Sequence, residues 1–182
     1  MDIDLQERAR AIKYREEEML QLQQLLKEKD YDLSRLKSSV ADALLGFKGE
    51  GLTVEERDGK LYVSLENSLL FPSGSWKVNE NGKKAIVELA KVLVQQSDIQ
   101  IMVEGHTDDV PYKGTGLIKD NWDLSVMRAT AIVRILANNK GLKANRITAA
   151  GKGSHSPLVE NNSSENRAVN RRTEIILSPN MD

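Results

Sequence analysis

Asp108 and Arg128 stand at the two ends of one segment that links a strand to a helix. Asp108 belongs to Gly105-His106-Thr107-Asp108-Asp109-Val110-Pro111, and Arg128 to Asn121-Trp122-Asp123-Leu124-Ser125-Val126-Met127-Arg128-Ala129. Long loops in compact domains are commonly functional. In open α/β sheets, ligands gather where such a loop leaves the C-terminal end of a strand. The first turn of the next helix offers free N–H groups that attract carboxylates and phosphates. Arg128 lies one turn into that helix, four residues after Leu124. Helical side chains lean toward the N-terminus, so its guanidinium points back at the loop. A carboxylate and a guanidinium flanking one cleft match a zwitterion: the first takes an ammonium, the second forks onto a carboxylate. By spacing alone, Asp108 and Arg128 could equally pair with each other.

Other chemistries fare worse. His106, Asp108 and Asp109 have the residue types of a metal site, but ligands adjacent in sequence rarely converge, and the one other histidine, His155, lies in a distant loop. No metal and no cofactor is expected. Asp108 and Asp109 as acid and base of a glycan hydrolase meet the same objection, and no second acidic site appears, so no enzymatic activity is expected. Ser125 lacks a His-Asp partner set, and Gly151-Lys152-Gly153 lacks the Lys-Ser/Thr of a phosphate loop. Trp76 and Trp122 read as packing residues more than stacking platforms, with Trp122 close enough to the cleft to contact a ligand, and His155 reads as a surface residue. A net charge of -1 gives no basic field for nucleic acid. The absence of cysteine excludes disulfides and thiolate chemistry.

The elements that must position this pair can be read in order. Leu52 and Val54, then Leu61, Val63 and Leu65, alternate with polar residues around Asp58-Gly59, a dipeptide that tolerates the positive φ of a tight hairpin turn. Leu69-Leu70-Phe71 is a short apolar run stopped by Pro72-Ser73-Gly74. Asn79 to Gln96 reads as a helix capped by Asn79, with Ile86, Leu89, Ala90, Leu93 and Val94 on one face. Ile99–Glu104 is a strand and Gly105–Asp120 a loop. A helix opened by Asn121 or Asp123 runs to about Asn139, and Gly141 stops it. Arg146–Ala150 is a strand, Gly151–Asn162 a polar loop, Ser163 or Ser164 the cap of a short helix through Val169, and Thr173–Leu177 the last strand. Helices alternating with strands predict helices layered on one sheet, with parallel strand-helix-strand crossovers and a last strand free to run antiparallel.

Residues 1–45 differ in character. They contain no Gly or Pro, and Leu5, Ile12, Met19, Leu26, Leu33 and Val40 recur at a seven-residue step. The companion seam of Arg8, Arg15, Leu22, Lys29, Leu36 and Ala43 is apolar only in its second half. This predicts a helical spacer, either a parallel coiled coil that joins two copies through residues 5–44 or a solvated single helix. Gly46-Phe47-Lys48-Gly49-Glu50-Gly51 is a linker, and the globular domain covers 52–182. The longest apolar runs fall short of a bilayer span. The charged start carries no export signal, so membrane attachment is expected only through a segment outside this sequence.

The stretch MVEGHTDDVP…NWDLSVMRA, followed by ITAAGKGSHSP and NRAVNRRTEI, resembles the OmpA-like peptidoglycan-binding domain, which peptidoglycan-associated lipoproteins and the flagellar stator protein MotB share. The resemblance covers about Leu61 to Leu177. LLFPSGSW, GHTDDVP and the extended loop before NWDLS look more like the MotB branch, whereas the heptad region joined directly to the domain looks more like an envelope lipoprotein of the Bacteroidetes type. The resemblance implies an α+β sandwich, a βαβαββ mixed sheet covered by helices, with a cleft for meso-diaminopimelate. Carried over by position, Asp108 and Arg128 hold the charged end of that amino acid, and Thr107, Asn121, Leu124 and Ser125 line the pocket. Arg171 and Phe71 join them by a weaker match. The implied function is non-covalent anchoring to peptidoglycan from the periplasm. The outer membrane is the expected attachment and the inner membrane the alternative, if the chain is a stator fragment.

Overall fold

The computed structural model describes residues 2–114 and 116–179, with residues 2–4 by backbone alone. The chain divides between Leu36 and Lys37 into two compact units. The first is the greater part of one helix, α1 (Asp2–Ala43). Leu5, Ile12, Met19 and Leu26 on its heptad seam are 56–63% exposed, and Leu22 on the companion seam is 55% exposed. That stripe therefore faces solvent within the single chain.

The second unit opens with the end of α1, where Val40 is buried, as is Leu44 just after the helix. Next come β1 (Leu52–Arg57), β2 (Lys60–Glu66), α2 (Asn67–Leu70), α3 (Glu80–Val94), β3 (Ile99–His106), α4 (Asn121–Ala137), β4 (Ile147–Gly153), α5 (Ser164–Asn170) and β5 (Arg172–Pro179). The five strands make one mixed sheet in the order β1-β2-β5-β3-β4. β3 and β4 are parallel across α4, and every other neighbouring pair is antiparallel. β2 and β3 therefore also run parallel, with β5 inserted between them. The expected α+β sandwich is present.

Alternation along the strands sorts the two faces of the sheet. Leu61, Val63 and Leu65, Ile101 and Val103, and Ile175 and Leu177 are all at most 1% exposed. They meet the apolar faces of α3 (Ile86, Leu89, Ala90, Leu93) and α4 (Ala129, Ile132, Leu136). Burying each large side chain contributes about 1.5–3 kcal/mol. The hairpin turns at Asp58 and Gly59 with φ of 50° and 69°, the pair of positive angles that a two-residue primed turn requires. Asn79 caps α3, its side chain accepting from Gly82 N at 2.8 Å.

Three of the boundaries that differ from the sequence reading bear on the site. β3 continues through Gly105 to His106 and β4 through Gly151 to Gly153, because the two strands keep pairing past the point where their glycines break the apolar pattern. The cap of α4 is Asp120, not Asn121 or Asp123: its side chain accepts from Asp123 N at 3.0 Å.

Candidate functional site

Two glycines decide how closely α4 approaches the sheet. Gly105 and Gly151 are register partners in the parallel pair. A Cβ on Gly105 would run into the Ser125 carbonyl, and one on Gly151 would lie 2.5 Å from Ser125 Oγ. With no Cβ at either position, the first turns of α4 settle directly on the ends of β3 and β4. Ser125 is fully buried in that contact. Its hydroxyl donates to Trp122 O at 2.9 Å and accepts from Gly153 N at 3.1 Å. Ser125 therefore fastens helix to strand and does not reach the cleft, contrary to the pocket position implied for it.

The helix start then shapes the loop before it. Asp123 accepts from Lys119 N at 2.8 Å. Asn121 donates to Val110 O at 3.0 Å and to Asp108 O at 3.3 Å, which draws the first part of the loop against the helix. Thr107 N donates to Gly153 O at 2.8 Å, and the Thr107 hydroxyl to Asp108 O at 3.0 Å. From the other side, α2 and its following turn are held by Asn67, whose N–H donates to Arg171 O at 2.9 Å.

These segments enclose a cleft of about 800 Å³, within the range usual for small-molecule sites. Phe71, Thr107, Asp108, Asn121, Leu124, Arg128 and Arg171, seven of the eight residues singled out from the sequence, line it. Leu124 and Arg128 share a helix face, whereas Ser125 sits about 100° further round. Asn67, Gly74, Tyr112 and Lys113 also line the cleft and were not anticipated.

Asp108 is 7% exposed and Arg128 5%. Among the described residues no ion pair joins them. Asp108 Oδ2 instead accepts from Arg171 Nη1 at 2.6 Å, and its Oδ1 from Val110 N at 3.2 Å. Arg128 Nε donates to Ser75 O at 3.0 Å, and its guanidinium lies 5.2 Å from the centre of the Phe71 ring. Among the described residues its two terminal nitrogens have no protein acceptor, so the fork is open toward the cleft. Burial lowers the Arg128 pKa to about 10; the Tyr112 hydroxyl and Asp108 act to raise it, and the charge of Arg171 to lower it further. The group still carries its proton at neutral pH. The result is a carboxylate, steadied by one arginine, facing a second arginine that is held by its stem and free at its tip.

Asp108 and Asp109 diverge, as adjacent residues in an extended segment must, and His106, at the end of β3, makes its contacts elsewhere. Asp108 faces the cleft, and Asp109 accepts from Arg167 Nε at 2.8 Å. His106 lies beneath the opposite face of the sheet, with Nε2 3.1 Å from Glu104 and 3.7 Å from Glu174. The ligand atoms of these three residues fall within 4.8 Å of one another. Arg172 and Arg57 already hold Glu174, at 3.1 and 3.5 Å, and Lys152 lies 3.9 Å from Glu104. A divalent cation would thus enter a patch whose carboxylates are already balanced. Burial, aided by Arg172, lowers the His106 pKa to about 4. His155 stacks on the half-exposed Trp122 at 4.8 Å.

This sheet order and a cleft at the β3–α4 junction define a domain class, and residues 70–171 match the family model described as the OmpA family. The chain belongs to the OmpA family. It is 33% identical over 119 residues to Motility protein B of Bacillus subtilis, which covers 65% of this chain and 45% of the relative. A MotB-like protein from Desulfovibrio vulgaris superposes with a TM-score of 0.77 at 26% identity, over 85% of this chain and 99% of that one. The cell wall anchor of the T6SS from Pseudomonas aeruginosa gives 0.69 at 30% identity, over 77% of this chain and 96% of that one. The chain spans about half the length of the curated relatives it matches.

Proposed function

We propose that this chain binds peptidoglycan non-covalently through the meso-diaminopimelate of the stem peptide and so anchors a cell-envelope protein to the wall. One observation carries the reading: Asp108 and Arg128 face a common cleft without pairing with each other. The ammonium of the amino acid goes to Asp108 and its carboxylate to the open fork of Arg128. The family, and the wall-anchoring role in the name of the Pseudomonas aeruginosa relative, support the same reading. The lining favours binding over glycan hydrolysis: Asp108 is the only carboxylate among the described residues that line the cleft, whereas glycosidases ordinarily use a pair.

Co-sedimentation with isolated sacculi tests the proposal. The wild-type chain should pellet with the sacculi, and Asp108→Ala and Arg128→Ala should each stay in the supernatant. Unchanged binding by both variants refutes the assignment. Release of soluble muropeptides during the incubation would point to a hydrolase instead.

The site acts from the periplasm, and the protein it anchors is attached to the outer membrane. The exposed apolar seam of α1 serves to join two copies as a coiled coil. The relatives named for motility favour a second reading, in which the same anchor serves a flagellar stator in the inner membrane. The segment that precedes this sequence in the gene separates the two: a lipid-attachment cysteine indicates a lipoprotein, and a membrane span bearing an acidic residue indicates a stator.

A further inference from the structure

The start of the loop, from Pro111 to Lys113, adds a wall to the cleft that the Asp108–Arg128 pair does not require. Tyr112 and Lys113 line it from that side. The Tyr112 hydroxyl donates to Gly74 O at 3.4 Å, while Arg128 Nε donates to Ser75 O at 3.0 Å. Adjacent carbonyls of one turn therefore hold the phenol and the guanidinium side by side, although they come from different elements. Tyr112 also acts electrostatically on Arg128. The ring is placed by the loop itself. Ile118 is buried, and a Cβ on Gly114 would collide with both the Tyr112 ring and Ile118 O.

We infer that Tyr112 is a specificity-determining residue: its hydroxyl turns from Gly74 O to the ligand carboxylate held by Arg128, so that the site selects a free carboxylate over its amide. The inference rests on the diaminopimelate reading above. The bond to Gly74 is long and exposed, and it gives way to a charged acceptor. A carboxylate then meets only donors, from the Arg128 tip and from Tyr112. A carboxamide keeps its C=O on Arg128 and turns its N–H₂ to the Tyr112 oxygen, which accepts only a neutral bond, so the amide forfeits the charge-assisted bond that Tyr112 gives a carboxylate.

Calorimetric titration of the full chain with L-Ala-γ-D-Glu-meso-diaminopimelate, free or amidated at the side-chain carboxyl, tests this. The wild type should bind the free form at least about ten-fold more tightly. Tyr112→Phe keeps the ring against Gly114 and removes only the hydroxyl. It should weaken binding of the free form at least about ten-fold, the share of one hydrogen bond to a charged group, and leave the amidated form within about two-fold. Wild-type affinity for both forms in the variant, or equal loss for both, overturns the role of Tyr112 while leaving the site assignment intact. A wild-type chain that binds neither peptide overturns the diaminopimelate reading, and this inference with it.

Discussion

Arg128→Met should make the protein more stable while removing its binding. Met has a similar length and no charge. The arginine pKa is lowered from its ordinary value to about 10, mainly by burial, and at 1.36 kcal/mol per unit that amounts to about 3 kcal/mol of unfavourable charge burial. The sign follows from linkage. A cation with a depressed folded pKa destabilises the fold wherever it is charged, and the cost is relieved only as pH rises past about 10. Against this, the substitution loses the hydrogen bond to Ser75 O, about 1 kcal/mol, and the contact with the Phe71 ring, about 0.5–1 kcal/mol. The balance favours the variant by about 1 kcal/mol, a rise in Tm of about 2–4 °C for a chain of this size. The same change leaves the ligand carboxylate without a partner, about 2–5 kcal/mol, or at least about 30-fold weaker binding. Urea unfolding and peptide titration on one preparation give both numbers. A variant destabilised by more than about 1 kcal/mol, or one that binds like the wild type, would show that Arg128 is a structural cation and not a ligand held in readiness.

Gly105→Ala should lower stability by about 1–3 kcal/mol by driving a Cβ onto the Ser125 carbonyl and lifting α4 from the sheet; an unshifted urea midpoint contradicts the close approach. His106 stays neutral in the fold down to about pH 4, because burial, and Arg172 after it, oppose its charge. The unfolded chain protonates it below about pH 6.5. Stability should therefore fall between those values, partly offset by Glu104, whose pKa burial raises. His106→Gln should flatten the slope in pH-dependent melts, and an unchanged slope excludes His106 as its source. The exposed seam of α1 should make the chain a dimer by light scattering, and Leu22→Glu with Leu26→Glu a monomer with the same Tm for the second unit; a monomeric wild type defeats the coiled-coil proposal.

Much of this could be read locally. Asp58-Gly59 declares its turn because few other pairs accept two positive φ angles. Asp108 and Arg128 were visible because a strand end and a helix start aim side chains in directions fixed by backbone geometry. The rest depends on partners distant in sequence. Nothing near Asp108 announces that Arg171 will clasp it, and nothing near Arg128 announces Ser75, because both contacts arise when β5 and the turn after α2 fold against α4. Ser125 was placed in the pocket by resemblance alone; it follows Leu124 in sequence but lies on another face of the helix, against Gly105 and Gly151. Tyr112 lies in a loop without periodicity, and its position follows from packing around Gly114.

The strand made last, β5, occupies the middle of the sheet. A chain emerging N-terminus first can close its hairpin and its β3–α4–β4 unit, but these two halves cannot join until β5 arrives between them. Arg171 immediately precedes that strand, so the steadied carboxylate comes into being at the same moment as the sheet. A chain cut short before residue 172 should therefore yield neither a smaller domain nor a weaker grip, but an unclosed polypeptide for proteases to clear.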